Sequence, residues 1–369
     1  MASTCVFGAI KNGEKLPDDK GVHVNAHGGG IVFHEKRYWW FGEHKVATRL
    51  GNTAQVGVHC YSSRNLLSWK DEGIALAVSD DPASDITKGC IIERPKVIFC
   101  PATGKFSMFF HLELKDRGYD AARVGIAVAD KIGGPYKFVR SLRPTPSSNP
   151  INARAEELTP EAMSISQSLG DLPGGPNEKG RANPIWPAHV AGGQMSRDMT
   201  LFVDDDGKAY HIFSSEHNST IHIAELTDDY LGHTGRWYRM AEKEWTEAPA
   251  ICKHNGWYYL IGSGCTGWNP NAARYYRSRS LFGIWQRMGN PCSGVNPKLK
   301  MGPEKTWGAQ STCIIPVHRA PGKFIAMFDI WTPENPIDGT YVFLPIRFTG
   351  EGTMEIAWKD ELTEEDVTK

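Results

Sequence analysis

One short pattern recurs five times along this chain and narrows the open folds more than any other feature. Each copy begins at a turn with Gly or a charged residue, enters an aromatic-rich strand and continues into small and polar residues. The copies are EKRYWWFGEHK (35–45), TGKFSMFFHLE (103–113), DGKAYHIFSSE (206–216), NGWYYLIGSGC (255–265) and PGKFIAMFDIW (321–331). Turn residues followed by a run of high strand propensity mark a hairpin. Several copies are followed by an aromatic close to a small turn, as in SSRNLLSWKDEG (62–73), VADKIGGPYKFV (128–139), SRSLFGIWQRMG (278–289) and, more weakly, AELTDDYLGHTGRWYRM (224–240). The predicted unit is an antiparallel sheet of about four strands, and repeated sheets of this kind protect their edges by packing radially. The expected fold class is therefore all-β, a five-bladed β-propeller, and the uneven spacing of the copies excludes regular repeats of the WD type.

The longest irregular stretch, about 142–195, is rich in Pro, Gly, Ser and Asn and contains one helix-capable piece, ELTPEAMSISQSL (157–169). Long loops inside compact domains usually carry function or disorder. This one is expected to be an insertion between blades two and three that folds over one face. The whole chain, 1–369, is expected to be one domain, with VHVNAHGGGIVF (22–33) and YVFLPIRFTG (341–350) in neighbouring or shared blades where the ring closes.

Composition removes several functions. Lys plus Arg number 41 against 42 Asp plus Glu, with no block of like charge to suit a phosphate backbone or an anionic membrane, so nucleic acid is not an expected partner. No apolar run reaches the roughly 18 residues of a membrane span. The start shows no signal-peptide pattern, which leaves localisation open. The eight cysteines have no CxxC pair and are expected to be buried free thiols. His23 with His27, and His211, His217 and His222, lack the context of zinc sites and read as core or pocket-lining residues. Asp204-Asp205-Asp206-Gly207 lacks the distal Glu of a calcium loop and reads as a tight turn. No GxSxG, Walker or dinucleotide fingerprint is present.

Four polar residues stand at the same phase of the repeat, each just ahead of or within the start of an apolar strand. They are Glu93 in CIIERPKVIF, Asp198 in SRDMTLFVDDDG, Glu247 in WTEAPAICKHNG and Gln310 in WGAQSTCIIP. In a propeller such positions converge on the axis. Glycoside hydrolysis needs a carboxylic acid kept protonated for the leaving group and a second group to activate water or attack the sugar. Glu247 is the expected acid, with Glu93 close enough to raise its pKa and orient it.

The ordered strings NAHGGGIVF, YWWFGEHK, ERPKVIF, SRDMTLFVDDDGKAY, EAPAICKHNGWYYLIGSGCTGW and WGAQST resemble glycoside hydrolase family 43, specifically its subfamily 24 of exo-β-1,3-galactanases, over about residues 22–350. The resemblance implies a five-bladed propeller that releases terminal β-1,3-linked galactose from galactan or arabinogalactan with inversion. It matches Glu247 to the general acid, Glu93 to the residue modulating its pKa and Gln310 to a glutamine standing where a base is needed, as an imidic acid or as a group that positions water. The wider family's first-blade Asp has no counterpart, because the segment reads Asn25-Ala26-His27-Gly28-Gly29-Gly30. Glu43, Asp198 and Asn218 fall in motifs of the sugar subsite, and Tyr119, Thr266 and Trp268 in segments expected to line it. Trp307 and Trp331 are candidates to extend the platform. The resemblance implies no required cofactor and, at most, a structural calcium ion; a monomer is expected, in a secreted, periplasmic or cell-surface setting. A neighbouring family 43 activity (arabinofuranosidase, xylosidase or β-galactosidase) and a non-catalytic carbohydrate-binding propeller remain alternatives.

Overall fold

A computed structural model describes residues 8–162 and 185–368. Five antiparallel sheets follow one another along the chain, each running outward from an inner strand. Blade one comprises His27–His34, Arg37–His44, Gly57–Ser63 and Lys70–Ala77. Blade two comprises Ile91–Cys100, Lys105–Glu113, Arg123–Ala129 and Lys137–Leu142. Blade three is built from Met199–Val203, Ala209–Ser215, Thr220–Leu226 and His233–Met240, and blade four from Thr246–His254, Trp257–Gly264, Arg274–Ser278 and Gln286–Gly289. Blade five starts at Gln310–Pro316 and continues through Phe324–Ile330, Thr340–Phe348 and Met354–Ala357. It adds a fifth strand, Cys292–Ser293, parallel to the fourth.

Each repeated copy falls on the second strand of a blade, and its burial explains its composition. Successive side chains on a strand face opposite ways, and here both faces are covered by neighbouring blades. In blade one Trp40 packs towards blade five, against Tyr341 and Phe343, while Phe41 packs towards blade two, against Val97 and Met108. The same split separates Phe109 from Phe110, Ile212 from Phe213, Leu260 from Ile261 and Met327 from Phe328. A strand buried on both faces reads as a nearly continuous apolar run, not an alternation. Five apolar clusters thus fill five blade interfaces.

Among the described residues no blade combines strands from the two ends of the chain. Blades one and five are neighbours, as Tyr341 Oη donating to Val24 O at 2.8 Å illustrates. Outside the blades, Ile10–Lys11 pairs antiparallel with Glu361–Leu362. Buried Asn12 bolts this clasp: its Nδ2 donates to Phe343 O and Lys359 O, and its Oδ1 accepts from Phe343 N.

The interval between blades two and three holds the expected insertion. Its described part contains a short 3-10 turn, Ala155–Leu158, and another at Trp186–His189. Most of the helix-capable piece 157–169 lies outside the described residues. Of the cysteines, the seven described are free; six are buried and Cys265 is half-buried. Asp204 to Gly207 form a tight turn, closed by Gly207 N donating to Asp204 O at 2.9 Å. Among the described residues no helix is long and apolar enough to cross a membrane.

Candidate active site

Three inner strands share one irregularity, and it builds the site. In blades one, two and four the inner strand bulges so that two residues oppose one, after His27, Glu93 and Glu247 respectively. The next residue takes a left-handed backbone in each case: Gly28 (φ 59°), Arg94 (φ 55°) and Ala248 (φ 55°). The bulge re-aims the preceding side chain and brings the cross-strand partners Glu43, His111 and Ser263 beside it. Glu93 and Glu247 therefore open into one cavity of ≈ 260 Å³ at the axis, joined by Asp198 and Gln310. At the matching point of blade one stands His27, buried and stacked on Tyr341 with ring centroids 5.3 Å apart, so this inner strand offers no carboxylate and its cross-strand partner Glu43 supplies one to the cavity instead.

Gly28 meets two demands at once. Its backbone is left-handed, and a Cβ would come within 2.1 Å of Glu43 Oε1. Glu43 is pinned by Lys45 Nζ at 2.6 Å and by Arg94 N at 3.0 Å, so it has little room to yield. Gly28→Ala is expected to cost about 3 kcal/mol from combined strain and overpacking, read as a lower urea midpoint, and to raise KM by displacing Glu43.

The Gln310 side chain makes four hydrogen bonds in the pocket. Its Oε1 accepts from Arg94 Nη2 at 2.5 Å and Trp331 Nε1 at 3.0 Å, while its Nε2 donates to Glu247 Oε1 at 3.0 Å and Ser263 Oγ at 2.9 Å. Turning the amide over would set N–H against two donors, so its orientation is fixed by its neighbours. Arg94 also pairs with Asp198 Oδ2 at 3.0 Å, and the same oxygen accepts from Ala248 N at 3.0 Å.

The two glutamates are pushed to opposite ends of the carboxylate range. Burial raises Glu247 to about 8, helped by the charge of Asp198 and opposed by Arg94, Cys265 and Gln310. After burial it is the Asp198 charge that raises Glu247 most, in the part the resemblance gives to Glu93. Burial also acts to raise Glu93, but His111, Lys45 and Tyr119 overcome it and hold the group at about 2. Tyr119 Oη donates to Glu93 Oε1 at 2.7 Å. Such a divergent pair supplies a proton-bearing acid and a fixed negative charge in one pocket at neutral pH.

The remaining expected residues divide. Asn218 and half-exposed Trp268 line the cavity, and the Asn218 Oδ1 is buried without a partner, placed to accept from a hydroxyl. Thr266 does not line it. Its hydroxyl is used inside its own turn, donating to Asn269 O at 2.5 Å and accepting from Asn271 Nδ2 at 2.7 Å. Trp331 does line the cavity, edge-on to Trp268 at 5.9 Å, whereas Trp307 is core and donates to Ser293 O. Lys45, Arg94, His111 and Arg197 also line it and escaped sequence reasoning.

Metal ions fit this pocket poorly. Glu93, His111 and Asp198 offer ligand atoms within 4.8 Å of one another. However, His111 sits between Glu93 (3.0 Å) and Glu113 (2.9 Å); although burial opposes it, these carboxylates raise His111 to about 9. An imidazolium has no lone pair for a metal. Deeper on the axis, Lys96 Nζ donates to Gly28 O at 3.0 Å and Arg94 O at 3.3 Å, so a calcium ion at those carbonyls would have to displace a like charge.

An axial pocket in a five-bladed propeller that holds a proton-retaining Glu247 and an ionised Glu93 has the paired carboxyl groups that glycoside hydrolases use. Comparison agrees at several levels. Residues 181–298 match the model of glycosyl hydrolases family 43. A solved family 43 β-1,3-galactosidase with galactodeoxynojirimycin is 46% identical, covering 96% of this chain and 100% of that one, with a TM-score of 0.84. The chain belongs to glycoside hydrolase family 43. The exo-β-1,3-galactanase of Clostridium thermocellum is 32% identical over 96% of this chain and 66% of its own, with a TM-score of 0.76. That of Phanerochaete chrysosporium, solved with β-1,3-galactotriose, is 26% identical over 98% and 69%, also with a TM-score of 0.76. A β-D-galactofuranosidase of Aspergillus niger is 27% identical over 111 residues; the match spans 30% of this chain and 31% of that relative.

Proposed function

We propose that this chain is an inverting exo-β-1,3-galactanase that removes terminal galactose from the backbone of β-1,3-galactan or arabinogalactan. The observation that carries the mechanism is Glu247, raised to about 8 and hydrogen-bonded to Gln310 inside a pocket also lined by buried Glu43, Arg94 and His111. The 46% identity to a β-1,3-galactosidase supports the sugar and the linkage, and the likeness to two exo-β-1,3-galactanases supports attack at the chain end.

In this reading Glu247 gives its proton to the departing glycosidic oxygen. Inversion puts the acid and the water on opposite faces of the ring, so on sugar binding Gln310 exchanges its 3.0 Å bond to Glu247 for the water it holds. Its oxygen already accepts from Arg94 and Trp331, which favours the ordinary amide and a positioning role. Glu93 stays ionised and steadies positive charge developing on the sugar. Glu43, Asp198 and Asn218 take the hydroxyls, Tyr119 supports Glu93, and Trp268 lies against the C–H face. Two carboxylates and an amide suffice for this chemistry without a cofactor.

The test is product release from unbranched β-1,3-galactan followed by proton NMR. Galactose should appear first as the α-anomer; β-anomer first, or internal cleavage, would reject the assignment. The pH profile follows from Glu247, whose protonated form is the active one. Activity should fall as pH rises through about 8, and Asp198→Asn should move that limb to lower pH by removing the charge that raises the acid. An alkaline limb unmoved in Asp198→Asn would separate the limb from Glu247.

A further inference from the structure

The segment presenting Asn218 to the pocket is unusual: Glu216, His217 and Asn218 all have left-handed backbones, at φ 51°, 56° and 64°. None is glycine, and each such residue costs roughly 1–2 kcal/mol, so surrounding bonds must hold the triplet in place. Those bonds converge on one side chain. Buried Glu216 accepts from Arg239 Nε at 2.8 Å and His222 Nε2 at 3.0 Å through Oε1, and from Arg239 Nη2 at 3.3 Å through Oε2. The same Oε2 accepts from the backbone of Ile185 at 3.0 Å and Trp186 at 3.4 Å, where the insertion returns to the propeller.

Arg239 is fully buried and extends the connection to the insertion's departing end. Its Nη1 lies 3.2 Å from Glu157 Oε1 and 3.0 Å from Glu242 Oε2, and its backbone exchanges two hydrogen bonds with the side chain of Asn152. Both described ends of the insertion therefore close on the back of the loop whose front carries Asn218. Buried charges of this kind are costly unless fully bonded, and this pair is bonded at nearly every position.

We propose that Glu216 is a positioning residue for sugar binding: tied to Arg239 and to the backbone of the returning insertion, it holds the left-handed triplet that aims Asn218 into the pocket. The proposal rests on reading the cavity as a sugar site. Through this link the two described ends of the insertion, at Asn152 to Glu157 and at Ile185 to Trp186, bear on affinity for the terminal sugar.

D-Galactose binding to the wild type, Glu216→Gln, Asn218→Ala and the double variant, measured by calorimetry, forms a double-mutant cycle. Each single change should weaken binding by about 10-fold, the value of one well-formed hydrogen bond. The double variant should bind no more weakly than Asn218→Ala alone. Losses that multiply to about 100-fold would overturn the proposal, since Glu216 would then act independently of Asn218. A second readout needs no sugar: the Asn218 side-chain amide resonances should shift in Glu216→Gln, and an unchanged signal would also overturn it. If the wild type bound no galactose, the functional reading would fail while the amide signal still decided the role of Glu216. Should Glu216→Gln not fold, Glu157→Gln loosens Arg239 from its outer side and should give the same non-additivity in smaller measure; additive losses there would overturn the proposal.

Discussion

Glu247→Gln should reduce kcat on β-1,3-galactan by about 10²- to 10⁴-fold, the usual worth of a positioned general acid, or about 2.7–5.5 kcal/mol of barrier. The substitution keeps shape and takes away only the proton that the leaving oxygen needs. The loss should therefore depend on the leaving group: a dinitrophenyl galactoside, whose phenolate departs without help, should be largely spared. The alkaline limb near 8 should vanish from whatever activity remains, because the group that titrates there is gone. Stability should not suffer. A carboxyl whose folded pKa is raised stabilises the fold below its unfolded pKa and loses that contribution as pH rises through about 8, and glutamine is exempt from that loss. A Glu247→Gln enzyme as active on galactan as on the activated galactoside would remove Glu247 from the acid's place.

Gln310→Ala should lower kcat by about 10²- to 10³-fold, comparable to deleting a preorganised donor from a reacting centre, with a much smaller change in KM. The amide ties blades two, four and five together through Arg94, Glu247, Ser263 and Trp331. Its loss frees the water and also leaves a buried arginine and a buried carboxyl short of a partner. Glu247 would lose a hydrogen bond that now lowers its pKa, so the alkaline limb in the variant should move upward. Measured kcat, KM and limb position together separate this from simple unfolding. Wild-type kcat in the variant would exclude Gln310 from handling the water.

The sequence made the blades readable because their second strands are buried on both faces, which forces runs such as YWWF and MFFH. It also made Glu93, Asp198, Glu247 and Gln310 readable, since an isolated polar residue ahead of an inner strand is out of place unless it faces the axis. Arg94 and Lys45 stayed hidden for the opposite reason: each directly adjoins or closely follows another polar residue, and only the bulge or loop geometry turns them inward. Thr266 sat in a promising segment, yet the turn it opens directs its hydroxyl to Asn269 O. The Glu216–Arg239 pair was illegible because its members lie 23 positions apart, with Glu157 a further partner 82 positions from Arg239, and they meet only when blade three packs against the insertion.

The clasp between Ile10–Lys11 and Glu361–Leu362 gives the ring a seam. All five sheets are completed by contiguous chain, so circular closure depends on side-chain packing between the first and last blades together with this two-residue strand pair and Asn12. Because Ile10–Lys11 and Glu361–Leu362 lie side by side, tension applied across these two strands would act first on the buckle, whose few bonds would part before any blade was disturbed.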